Sequence, residues 1–158
     1  MDVVVLANLR CSRGVINEND IYFEAGRQET QVQISLLAGT IAHLYSGFDM
    51  PLYPSWESIL TVFNRVCKEK TVLVLDEFPY MVEKDPSLPS VLQNIIDSGT
   101  LRYHLVICGS SQRMMQHFVL DKSDPLYGRA NEKINLRPIR PQHWQEAMNL
   151  DAVSTIEE

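Results

Sequence analysis

The stretch Thr71-Val72-Leu73-Val74-Leu75-Asp76-Glu77-Phe78 decides the fold. Four apolar residues run without a polar break and end on two carboxylates. A run without alternation predicts a strand buried on both faces, as in a parallel sheet covered by helices. The C-terminal tip of such a strand is where open α/β sheets place their ligands. An acid pair there suits a hydrated divalent cation on one carboxylate and a water oriented or deprotonated by the other. The same pair also suits a plain solvated turn, so the stretch alone leaves both readings open.

Downstream, Asp85-Pro86-Ser87-Leu88-Pro89 reads as a loop opening a helix through Val91, Leu92, Ile95 and Ile96, closed by Gly99. A second unbroken apolar run, Leu105-Val106-Ile107-Cys108, follows and ends at Gly109-Ser110-Ser111. Strand, helix, strand with both strands apolar is a βαβ unit with parallel strands. Upstream, Ser55 is a good N-cap for a helix whose face is Trp56, Ile59, Leu60, Phe63, Val66 and Cys67. Ahead of it, Ile34, Leu37, Ile41 and Leu44 predict another helix, stopped near Gly47, and Ile21-Tyr22-Phe23 a short strand. A short helix is predicted around Met114 to Val119, a loop over Asp124–Arg129, a strand at Ile134-Asn135-Leu136 and a helix from Gln142 to Met148. The class is α/β: a three-layer αβα sandwich on a mostly parallel sheet.

At 158 residues the chain suits one domain with a single substantial core. A net charge of -6 gives no electrostatic reason to bind nucleic acid or anionic membrane nonspecifically. No apolar stretch approaches the roughly 20 residues of a spanning helix, and Met1-Asp2-Val3-Val4-Val5-Leu6 lacks the basic start of a signal peptide. Cys11, Cys67 and Cys108 form no CxxC pair and suit reduced, buried thiols in a cytoplasmic setting. His43, His104, His117 and His143 have no metal-ligand spacing.

Two further residues are candidates for chemistry. Ser110 stands just past the strand expected beside Asp76, where its hydroxyl suits either a terminal phosphate or the cap of the next helix. Arg129 follows Tyr127-Gly128 in a polar loop, where a guanidinium suits either a transferring phosphoryl group or a surface ion pair. Trp56, Trp144, Tyr22, Tyr53 and Tyr80 lie among apolar residues and are expected to pack. Arg137-Pro138-Ile139-Arg140 is too short for a nucleic-acid footprint.

Four segments in order carry a resemblance: Ile21-Tyr22-Phe23-Glu24-Ala25, Val72 to Tyr80, Val106 to Ser111, and Pro125-Leu126-Tyr127-Gly128-Arg129. Together they resemble the archaeal-type ATPase family, prokaryotic P-loop ATPases of the wider AAA+/STAND group, from about Ile21 to Leu150. The resemblance implies ATP and Mg2+ as cofactors. It makes Asp76 the Walker B residue holding magnesium through water, Glu77 the catalytic base, Ser110 the sensor and Arg129 a γ-phosphate or finger residue.

The departure is upstream. Family members carry G-x-x-x-x-G-K-[ST] after a first strand, whose backbone N–H groups, Lys and hydroxyl cradle the phosphates. Here Arg10-Cys11-Ser12-Arg13-Gly14-Val15 has one glycine and no Gly-Lys-Ser/Thr triplet. Residues 1–20 therefore read as a remnant or replacement of the first helix, 21–150 as an incomplete ATPase core, and 151–158 as an acidic tail. A late gene start or a true loss of the loop would each account for this. The core is expected to be truncated at its first strand, with an open place in the sheet for a protein partner or a second copy. Val3-Val4-Val5-Leu6 is a candidate to fill part of it. The expected activity is that of an ATPase domain, inactive as given. The alternatives are a nucleotide-independent interaction module and a metal-dependent hydrolase, the latter without carboxylates to complete a two-metal site.

Overall fold

A computed structural model describes residues 3–7, 17–111, 115 and 121–135. Its elements, in order, are β1 (Val3–Ala7), β2 (Ile21–Glu24), α1 (Thr30–Ala42), α2 (Trp56–Val66), β3 (Val72–Asp76), α3 (Phe78–Lys84), α4 (Leu88–Asp97), β4 (His104–Gly109) and β5 (Glu132–Asn135). The five strands form one sheet in the order β2-β3-β4-β1-β5. Every pairing is parallel. This is an α/β fold of the P-loop NTPase-like kind, with helices flanking a parallel sheet.

The helices follow from their sequences. Ser55 caps α2 as expected, and the cap is reciprocal: its Oγ accepts from Ser58 N–H at 3.2 Å while Ser58 Oγ accepts from Ser55 N–H at 3.1 Å. Gly47 and Gly99 both take positive φ, 82° and 65°; Gly99 directly follows the C-cap of α4, whereas α1 already ends at Ala42, capped by His43, ahead of Gly47. Ile34, Leu37 and Ile41 of α1, with Ile59, Leu60 and Phe63 of α2, are buried. They pack with Ile21, Phe23, Leu73, Leu75, Leu105 and Ile107, which alternate along their strands and so share one sheet face. Trp56 and Tyr53 are buried as expected, the latter stacked on Phe48 at 5.2 Å. Cys67 and Cys108 are buried and form no disulfide.

Two readings change. The sequence gives no hint of α3 following the acid pair directly. Pro79 occupies its first turn, where no N–H is needed, and Phe78 and Met81 bury one face. Of the N-terminal segment, residues 3–7 are a strand and not a helix remnant, and the Val3-Val4-Val5-Leu6 run fills the place expected to stand open in the sheet. Val3–Ala7 is a strand seated between β4 and β5, in register from Val3↔Leu105 to Ala7↔Gly109. Among the described residues the sheet edges are β2 and β5.

The expected helices over 114–119 and 142–148 fall outside the described residues, apart from Met115, which is helical and buried. Cys11, His117, His143, Trp144 and Arg137–Arg140 also lie outside them. Among the described residues, no helix is long and apolar enough to cross a membrane.

Candidate functional site at the C-terminal tips of β3 and β4

Asp76 ends β3 with its side chain almost wholly buried, 3% exposed. Its backbone carbonyl accepts from Ala25 N–H at 2.9 Å, which ties the tip to the chain leaving β2. Both carboxylate oxygens have donors. Oδ1 accepts from Glu77 N–H at 2.8 Å, and Oδ2 accepts from the Tyr22 hydroxyl at 2.5 Å. Tyr22 pairs with Val74, two residues before Asp76, so the alternation of the strands puts Tyr22 and Asp76 on one sheet face. Burial first, then the bond to Asp76 and that carboxylate's charge, push the Tyr22 phenol well above its usual range.

Glu77 leaves the strand in the left-handed region, at φ 53° and ψ 38°. For a residue with a Cβ this conformation costs about 1–2 kcal/mol. The turn brings its side chain to the neighbouring strand. Glu77 Oε2 accepts from Ser110 Oγ at 3.1 Å and from Ser110 N–H at 3.3 Å. Adjacent pairing of β3 and β4, with Leu75 opposite Ile107, makes the meeting possible. So does Gly109: a Cβ there would stand 2.8 Å from Pro79 Cδ and 2.9 Å from Met115 Sδ. Three of the four residues singled out from the sequence therefore stand together.

Arg129 does not join them. Its guanidinium forms a bidentate pair with Asp97 at 2.6 and 2.8 Å and donates to the carbonyls of Pro125 and Tyr127. The physical reason is topological. β5 runs parallel to β1, so the loop entering β5 lies at the N-terminal edge of the sheet, where α4 also ends. Strands of five and six residues at about 3.3 Å each put that edge roughly 15–20 Å from the acid pair. Asp97, held by this pairing, has its carboxyl below the usual range.

Sequence reasoning passed over Tyr22, read as a packing residue. The available signal was a phenol one alternation step before the tip of the strand beside Asp76. Tyr80 was also read as packing; the Arg27 guanidinium lies over its ring, 5.0 Å from the centroid.

β1 ends at Ala7, in register with Gly109, the residue before Ser110. A phosphate loop would stand between β1 and β2, and the thirteen residues there, 8–20, contain no G-x-x-x-x-G-K-[ST]. Magnesium demands near-octahedral oxygen ligation. Among the described residues no three His, Cys, Asp or Glu side chains are grouped to hold a metal ion. Both Asp76 oxygens and Glu77 Oε2 accept from this chain's own donors, and the residues between β1 and β2 supply no Gly-Lys-Ser/Thr cradle for the phosphates of Mg-ATP.

No protein-family model matches the chain. Over 93 residues, 58% of this chain, it is 34% identical to an uncharacterized protein, MJECL04, of Methanocaldococcus jannaschii, and spans 20% of that protein's length. Among solved structures it is similar to the Walker-type ATPase PABY2304 of Pyrococcus abyssi, with a TM-score of 0.66 at 16% identity, covering 89% of this chain and 50% of that one. It is also similar to the Aeropyrum pernix ORC1 protein, solved in complex with DNA, with a TM-score of 0.62 at 15% identity, covering 97% and 44%. The chain has an ATPase-type fold. It spans half or less of the length of these proteins.

Proposed function

We propose that this chain is the core of an archaeal-type P-loop ATPase domain that keeps the Walker B and sensor positions without a phosphate-binding loop. Asp76 stands at the magnesium position of such enzymes, Glu77 at the position of the catalytic base and Ser110 at the sensor position. The core unit takes in β1 together with β2 through β5, and works in the cytoplasm. Arg129 is a structural clamp on α4 and not part of this chain's own site. The observation that carries the reading is the Glu77–Ser110 contact at 3.1 Å across neighbouring strand tips. The slot filled by β1 supports it, because a P-loop would leave that strand at the same tip.

As it stands, the chain neither binds Mg-ATP tightly nor hydrolyses it. Charge-assisted hydrogen bonds of a phosphate cradle contribute about 1.5–3 kcal/mol each. Each ~1.4 kcal/mol lost weakens binding tenfold, so losing several removes many orders of magnitude. Isothermal titration of the chain with Mg-ATP is expected to give no measurable heat of binding at micromolar concentrations; micromolar affinity would sink the proposal.

A second reading is favoured by the internal donors on Asp76 and Glu77: a nucleotide-independent interaction module that retains the ATPase fold. Its partner, or a second copy of the chain, would add to β2 or β5 at a sheet edge. Amide exchange in β2 and β5 slowing as protein concentration rises would support self-pairing; no change would argue against it.

A further inference from the structure

The acid pair at the tips of β3 and β4 receives four hydrogen bonds from the chain itself. Asp76 accepts from the Tyr22 hydroxyl and the Glu77 N–H, and Glu77 accepts from the hydroxyl and N–H of Ser110. A carboxylate as buried as Asp76 is costly unless its oxygens are satisfied. In a metal site the hydrated cation contributes to that. Here a phenol on the neighbouring strand and the next residue's amide suffice.

We propose that Tyr22 is a positioning residue that takes the place of a metal's water at Asp76 and keeps the tip folded free of any cation. The inference rests on Asp76 standing at the Walker B position and goes beyond it, assigning a role to a tyrosine outside the motif. The geometry is specific to the hydroxyl. Glu24, not Tyr22, pairs directly with Asp76, and Tyr22 reaches the carboxylate from one alternation step below. Phenylalanine at position 22 would retain the ring's packing and lose the donor. Asp76 Oδ2 would then lose the one donor it has among the described residues.

Mn2+ without nucleotide, read by electron paramagnetic resonance and by thermal melting, tests this separately from the ATP proposal. The wild-type chain is expected to leave Mn2+ free and its Tm unmoved. Tyr22→Phe is expected to lower Tm by about 3–10 °C, because a buried acceptor loses its partner. Added Mn2+ is expected to restore part of that loss, and Tyr22→Phe/Asp76→Asn to abolish the restoration. A purely packing role for Tyr22 would give no such rescue. The inference fails if wild-type chain binds Mn2+ at micromolar concentration through Asp76, or if Tyr22→Phe melts like wild type. A lowered Tm indifferent to Mn2+ also overturns it. Should Tyr22→Phe not fold, the wild-type Mn2+ signal decides.

Discussion

The two ends of the sheet solve opposite electrostatic problems. At the C-terminal tips, Asp76 and Glu77 are held by neutral donors, two of them backbone amides and two hydroxyls. At the N-terminal edge, Arg129 meets the Asp97 carboxylate directly, with both side chains partly open to solvent. The difference teaches where the fold depends on burial and where on charge. Neutral donors on a buried acid are insensitive to salt and depend on strand register. A surface ion pair is screened and tolerant of small displacements.

The comparison breaks most readily at Gly109. Gly109→Ala is expected to destabilise the chain by about 1–3 kcal/mol in denaturant unfolding, because Pro79 and Met115 must yield to the new methyl group. A neutral result would mean that the approach of α3 to β4 is loose.

Glu77 offers a smaller and more specific effect. In the left-handed region glycine is favoured over alanine, so Glu77→Gly is expected to be about 1 kcal/mol more stable than Glu77→Ala. Both variants lose the Ser110 bonds equally, which isolates the backbone term. If alanine proves the better replacement, the turn at the tip is not left-handed in solution.

The smallest effect belongs to Arg129. Because Arg129 holds the Asp97 carboxyl below its ordinary value of 3.8, the folded state is favoured above that pH. The contribution is lost as pH falls through the folded value. Arg129→Gln is therefore expected to melt slightly below wild type near neutral pH, with the gap narrowing in strong acid and in high salt. A gap that widens in acid would contradict the pairing.

Much of this was legible in the sequence, for identifiable reasons. Unbroken apolar runs located β3 and β4, because strands covered on both faces need no polar alternation. Ser55 and Gly99 punctuated the helices through local chemistry alone. The meeting of Glu77 with Ser110 followed from two neighbouring strands ending at the same level. What escaped was tertiary. α3 spans seven residues after a left-handed turn, too short for helical periodicity to register. Tyr22 touches Asp76 across 54 positions of chain, which no local pattern encodes. Arg129 was read by its motif and not by the direction of the strand it precedes, and direction decides which end of a parallel sheet a loop occupies.

The seat of β1 sets a timetable for assembly. Val3 faces Leu105, and Val4 faces Glu132, so β1 leaves a ribosome about a hundred residues before the neighbours it pairs with. β5 touches the sheet through β1 alone among the described residues, so it has nowhere to dock until β1 is in place. Pairings of such long range close slowly, whereas β2 with β3 and β3 with β4 join over shorter stretches of chain. A nascent chain stalled before β4 would carry Val3–Ala7 as an unmatched apolar ribbon, the natural target for a holding chaperone.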